Sequence, residues 1–146
     1  MAVITHSTAR SESETVKIAQ DLAAQIRQGD VILLRGTLGA GKTVFARALI
    51  RMLAGDPALD VPSPTFTLVQ NYDSDKGPLW HFDLYRLEAP EEIQALGWED
   101  ALSEGIVIVE WPQRLGSHVP SRHLDISLKA VDNEAGSRII EITRVE

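Results

Sequence analysis

Eight consecutive residues, Gly36-Thr-Leu-Gly-Ala-Gly-Lys-Thr43, fit the pattern G-x-x-x-x-G-K-[ST] of a phosphate-binding loop. The residue types suit that chemistry. Gly36, Gly39 and Gly41 allow positive φ and a close approach of backbone to a pyrophosphate. The N–H groups around Gly39, Ala40 and Gly41, with the start of the following helix, face negative charge. Lys42 can reach the β- and γ-phosphates, and the Thr43 hydroxyl can ligate Mg²⁺. The context is also right, because an apolar run (Val31 to Leu34) precedes the loop and a helix-like run (Val44 to Ile50) follows it.

Such a site needs acidic residues near the metal, and in doubly wound sheets these stand at the carboxyl ends of strands. Glu110 ends Ile106-Val-Ile-Val109, a continuous β-branched run expected of a strand buried on both faces. It is the candidate Mg²⁺ acid, directly or through water. Asp83 lies in His81-Phe-Asp-Leu-Tyr-Arg86, where alternation puts His81, Asp83 and Tyr85 on one face. They could orient a water or contact a metal, although spacing alone equally allows a solvated strand face. Thr65 follows the stiff Pro62-Ser-Pro64 segment and could sense a γ-phosphate as switch loops do. A threonine that merely starts a strand fits as well. Trp111 could stack on adenine or simply be buried at a strand end. His6, His118 and His123 have no metal-ligand spacing and are expected at the surface.

The elements that must position these groups follow from periodicity. Ser11 and Glu14 have capping-box spacing, and Val16, Ala19, Leu22, Ala23 and Ile26 form an apolar stripe, so a helix is expected over 11–28 with Gly29 as its stop. Strand 31–35, the loop, and a helix from Lys42 to about Leu53 come next. Phe66 to Tyr72 and Leu79 to Tyr85 read as a β-hairpin around a Ser/Asp/Gly/Pro turn. Pro90 opens a short helix that ends at Gly97, and another is expected over Trp98 to Leu102. His123 to Leu128 and Arg138 to Val145 alternate as half-exposed strands. The expected fold class is α/β: residues 1–146 form a single P-loop NTPase domain, a mixed, mostly parallel β-sheet flanked by helices.

Composition narrows the function classes. With no cysteine among 146 residues, disulfides and thiolate metal sites are excluded, and a reducing, cytoplasmic setting fits. Residues 1–10 lack the apolar core of a signal peptide, and no run is long enough to span a membrane. A net charge of −7 argues against tight binding of nucleic acid by this chain alone. If nucleic acid is the ultimate substrate, a partner holds it. Asn-Lys-x-Asp and Asp-x-x-Gly motifs are absent, which favours ATP over GTP. The classes left open are an ATPase acting on partners, a small-molecule P-loop kinase (Arg114 and Arg122 lie in a plausible lid loop), and a non-hydrolysing nucleotide-binding module.

Gly36 to Thr43, Ser63-Pro-Thr-Phe-Thr-Leu-Val69, His81 to Arg86 and Val109-Glu-Trp-Pro112 occur in one order and spacing. Together they resemble the TsaE (YjeE-type) ATPases of bacterial tRNA threonylcarbamoyladenosine biosynthesis, well over residues 10–114 and loosely beyond. The resemblance implies an ATPase that works with a TsaD–TsaB pair on the adenosine beside the anticodon, touching tRNA only through those partners. In that family it is not itself the transferase. By resemblance Lys42, Thr65 and Asp83 serve hydrolysis, Thr43 and Glu110 serve Mg²⁺, and Trp111 serves the nucleotide. Further nucleotide contacts are implied near Glu12 and Arg138. No arginine finger stands in these blocks, so turnover by the isolated chain is expected to be slow.

Overall fold

The computed structural model describes residues 2–37 and 39–146; Leu38, inside the phosphate-loop motif, lies outside the described residues. Chain order is β1 (Ala2–Ala9), α1 (Glu12–Ala23), β2 (Val31–Arg35), α2 (Lys42–Ala54), β3 (Val69–Tyr72), β4 (Leu79–Asp83), a 3₁₀ helix (Pro90–Leu96), α3 (Trp98–Glu104), β5 (Ile106–Glu110), a second 3₁₀ segment (Pro112–His118), β6 (His123–Ala130) and β7 (Arg138–Val145). The strands form one seven-stranded sheet in the order β1-β7-β6-β2-β5-β4-β3. The expected mixed sheet is found. Its four central strands, β6, β2, β5 and β4, run parallel, and antiparallel strands flank them on both sides.

Continuous apolar runs make β2 and β5, the middle pair of the parallel strands, because both of their faces are covered. Ile32, Leu34, Ile106, Ile108, Leu124 and Ile126 pack under α1 and α2, with Phe45 and Leu49 of α2 fully buried against them. Val31, Leu33, Val107, Val109, Phe82 and Leu84 face the other way, onto Trp98, Ile93 and Leu115. Phe82 and Trp98 meet edge to face with ring centroids 5.3 Å apart, a geometry aromatic pairs favour.

Besides short extensions of α3 to Glu104 and β6 to Ala130 and the second 3₁₀ segment, three boundaries and one strand differ from the periodicity reading. Helix α1 ends at Ala23 rather than Gln28. Tight turns close it (Gln25 N–H to Leu22 O, Ile26 N–H to Ala23 O), and Lys76, in the β3–β4 turn, donates through Nζ to Ala23 O at 2.9 Å and, beyond the helix, to Ile26 O at 2.8 Å. Strand β3 begins at Val69 rather than Phe66, because Pro64 O accepts from Leu68 N–H and closes a turn, with Leu68 at φ 70°. Strand β4 stops at Asp83 rather than Tyr85, because the Asp83 carboxylate captures the Tyr85 N–H at 3.0 Å and bends the chain. Finally, β1 has no counterpart in the periodicity reading. The side chains that alternate along its described part (Thr5, Ser7 and Ala9 against Ile4, His6 and Thr8) carry little apolar contrast, so pairing with β7 is what makes it a strand.

Candidate functional site

Strand β2 sits mid-sheet with parallel neighbours on both sides, so the loop leaving its carboxyl end opens at the rim where such sheets bind ligands. The loop's glycines are structurally required. Gly39 and Gly41 have φ of 81° and 97°, left-handed values that favour glycine. A Cβ on Gly36 would stand 2.7 Å from Leu128 O of β6. Ala40 is fully buried, and its N–H bonds to Thr37 O at 3.1 Å. Gly41 caps α2 without a side chain, leaving the helix N-terminus open to an anion.

Lys42 opens α2 and is buried, 6% exposed. Its ammonium has no hydrogen-bond partner and lies 3.6 Å from the centroid of the Trp111 ring, a cation–π contact. Burial pushes its pKa below the ordinary lysine value, while the nearby Glu110 and Asp83 carboxylates push back. A desolvated cation without an acceptor is costly to hold, and an anion at the start of α2 would satisfy it.

The two carboxylates are brought together by strand register. Asp83 and Glu110 are partners at the carboxyl ends of the parallel strands β4 and β5. Alternation from Leu79, which packs under α1 and α2, places His81 and Asp83 on the α2 side. Asp83 is 4% exposed and uses both oxygens. Oδ1 accepts from Tyr85 N–H, and Oδ2 accepts from the Thr65 hydroxyl at 3.0 Å. Thr65 in turn shares a 2.8 Å hydrogen bond with the Ser63 hydroxyl. Thr65 therefore does reach the acid, carried there by the turn that shortened β3.

Glu110 is 2% exposed and bonds through Oε2 to His81 Nε2 at 2.8 Å. Sequence reasoning placed His81 on the correct face but did not pair it with Glu110. The signal was present in the alternation of His81 with Asp83, once β4 and β5 are known to be neighbours. Trp111 follows at φ 58°, which turns its ring onto Lys42 and against Tyr85, centroid to centroid 4.9 Å. The ring thus stands at the phosphate end of the loop, and this geometry offers no support for stacking on adenine.

Glu12 and Arg138 also reach the loop. With Thr15, Gly41, Val44 and Gly136 they line a recess of about 50 Å³ beside the start of α2. Thr15 was not anticipated; its hydroxyl is buried there without a partner. Arg138 turns its guanidinium to the loop's carbonyls, donating to Ala40 O at 2.8 Å and Gly39 O at 3.0 Å. Of the other histidines, His6 is exposed and His118 and His123 are partly exposed, all away from the acids.

The oxygen donors Thr43, Glu110 and Asp83 are hard ligands of the kind Mg²⁺ takes. Among the described residues no group of three or more His, Cys, Asp or Glu could hold a metal by itself. No helix among the described residues is long and apolar enough to cross a membrane.

Comparison with known proteins places the chain in a family. The family described as "Threonylcarbamoyl adenosine biosynthesis protein TsaE" matches residues 9–140, a span that holds every site residue named above. The tRNA threonylcarbamoyladenosine biosynthesis protein TsaE of Rickettsia conorii is 40% identical over 126 residues, covering 86% of this chain and 71% of the relative. The Aquifex aeolicus protein of the same name is 45% identical over 104 residues, covering 71% and 74%. The crystal structure of Bacillus subtilis YdiB aligns with a TM-score of 0.78 at 29% identity, over 100% of this chain and 89% of YdiB. The chain belongs to the TsaE family of threonylcarbamoyl adenosine biosynthesis proteins.

Proposed function

We propose that this chain is the ATP-binding and ATP-hydrolysing subunit of tRNA threonylcarbamoyladenosine formation. It works in the cytoplasm with a TsaD–TsaB-type complex that carries the tRNA. The observation that carries the reading is the buried, unpartnered Lys42 ammonium at the mouth of α2, facing two strand-end carboxylates. That combination suits a phosphoryl group better than a carbon-centred substrate, since phosphoryl transfer is catalysed by positioning and charge rather than by covalent groups.

The triphosphate lies along Gly36–Thr43, and Lys42 leaves Trp111 to neutralise the phosphoryl being transferred. The Thr43 hydroxyl and Glu110 would hold a Mg²⁺ ion, which would supply charge neutralisation to the phosphates. His81 takes one oxygen of Glu110 and fixes the carboxylate's orientation. Asp83, supported by the Thr65 hydroxyl, orients the attacking water. The chain's net charge of −7 fits a subunit that leaves tRNA contact to its partners.

The test is ATP hydrolysis with Mg²⁺, with and without purified TsaD–TsaB. Stimulation by the partners that disappears in Lys42→Ala is the expected result. ATP binding without stimulated hydrolysis would overturn the partner-dependent ATPase.

A further inference from the structure

Arg138 is the first residue of β7, and its side chain crosses to the phosphate loop. Nε donates to Ala40 O at 2.8 Å, Nη2 to Gly39 O at 3.0 Å, and Nη1 to Ser137 O at 2.7 Å. The guanidinium also packs under the last glycine of the loop, with Nε 3.4 Å from where a Gly41 Cβ would stand. All three observed bonds go to carbonyl oxygens.

A planar trans peptide points its C=O and the next residue's N–H in opposite directions. Holding the Gly39 and Ala40 carbonyls toward β7 therefore turns the N–H groups of Ala40 and Gly41 away from β7. The Ala40 N–H is bonded to Thr37 O across the loop, so that peptide is tied at both ends. A cation on the carbonyl side also polarises both peptides, and with the Ala40 N–H given to Thr37 O it is the Gly41 N–H that becomes the better donor toward an anion. Two adjacent carbonyls suit the rigid fork of arginine; the single ammonium of lysine, on its flexible stem, matches them less well.

We propose that Arg138 is a positioning residue. From the start of β7 it holds the carbonyls of Gly39 and Ala40, setting the phosphate loop in its anion-binding shape before nucleotide arrives, without itself contacting the phosphates. This deepens the reading of the loop as a nucleotide site and rests on it. It also gives β7, which lies outside the parallel core, a task at the site.

The test uses the full chain carrying Arg138→Gln or Arg138→Lys, with two readouts. The first is amide hydrogen exchange over residues 36–43 in the nucleotide-free protein; the second is affinity for ADP and for ATP. Losing charge-assisted bonds to two carbonyls should speed exchange in the loop about tenfold or more, leaving β5 unchanged. ADP and ATP affinities should fall by a common factor, and Arg138→Lys should be nearly as defective as Arg138→Gln.

Unchanged loop exchange overturns the proposal. So does a loss for ATP much greater than for ADP, which marks direct contact with the γ-phosphate, and so does full recovery in Arg138→Lys, which marks charge alone. If Arg138→Gln fails to fold, Arg138→Lys, which keeps the aliphatic stem and the charge, gives both readouts against wild type. Should wild type bind neither nucleotide, the nucleotide-site reading fails, yet exchange in the nucleotide-free loop still decides whether Arg138 orders it.

Discussion

Replacing Asp83 by asparagine separates its structural from its chemical role. Its two oxygens accept from the Tyr85 N–H and from the Thr65 hydroxyl, both at 3.0 Å. Asparagine keeps one acceptor oxygen, which must face the Tyr85 N–H because that group can only donate. The new amide then faces Thr65, whose hydroxyl can accept from it and donate onward to Ser63 Oγ, already 2.8 Å away. The fold survives with the hydroxyl chain reversed. Each charge-assisted bond becomes a neutral one at a loss of about 1 kcal/mol, so Asp83→Asn should cost about 2 kcal/mol, against more for Asp83→Ala, which strands the Tyr85 N–H. Chemistry should suffer far more. Loss of the group that orients water should slow hydrolysis by about 10²–10⁴-fold. Nucleotide affinity should hold or improve, since one negative charge beside the phosphates is gone. Denaturant titration, equilibrium binding and single-turnover hydrolysis in the full complex measure the three effects. Wild-type hydrolysis by Asp83→Asn would refute the reasoning, and a loss of binding in step with rate would move Asp83 from transition-state to ground-state binding.

Further outcomes follow from the same geometry. Gly36→Ala meets Leu128 O at 2.7 Å with φ at +156° and should cost about 2–4 kcal/mol from overpacking and backbone strain together. Gly39→Ala, at φ +81° with nothing within 4 Å, should cost about 1–2 kcal/mol; equal midpoints in denaturant would contradict the contact. His81→Ala removes the hydrogen-bond partner of a carboxylate only 3% exposed, which should destabilise the fold by about 3–5 kcal/mol, with partial recovery in His81→Gln. Lys42 carries a pH signature, since its folded pKa lies below 10.5. Between the folded value and 10.5 the unfolded chain binds the proton and the folded chain does not, so this group's contribution to stability rises with pH across that window. Unfolding free energy against alkaline pH should rise in wild type relative to Lys42→Met, and the opposite slope would contradict burial of the ammonium. Removing Mg²⁺ with a chelator should weaken ATP binding, because Asp83 and Glu110 then face the triphosphate with only Lys42 between them; equal affinity would rule out a shared ion.

What was legible in the sequence was what short-range patterns encode. The phosphate loop, the β-branched run ending at Glu110, and the hairpin turn before Leu79 are contiguous, and each rests on local backbone preference. The partnerships that make the site work are not contiguous. Thr65 and Asp83 are 18 residues apart, and their bond depends on a turn that ends β3 early. Arg138 meets Ala40 across 98 residues, where no periodicity relates them. Resemblance pointed to a nucleotide contact near Arg138; what no sequence pattern gave is its bonds to the loop's backbone carbonyls. Helix α1 was read too long because Ile26 continues its apolar stripe; it is Lys76, far along the chain, that takes the carbonyls there.

Strand direction explains which distant residues can reach the loop. The parallel strands β2, β4 and β5 all end at the rim, where Glu110 stands in register with Asp83 on one side and Leu34 on the other, one residue before Arg35. A strand antiparallel to one of these must begin at that rim. Thus β3, paired with β4 from Val69 opposite Phe82, can offer only what precedes it, which is the turn bearing Thr65. For the same reason β7, antiparallel to β6, brings its first residue, Arg138, to the rim opposite Ala130. Strand β1, antiparallel to β7, ends there with Ala9 opposite Arg138, which delivers Glu12 at the start of α1. The mixed sheet therefore gathers strand ends from its parallel core and strand beginnings from its antiparallel margins. A purely parallel sheet would leave the beginnings of its strands, where Arg138 and the Thr65 turn stand, on the far side of the molecule.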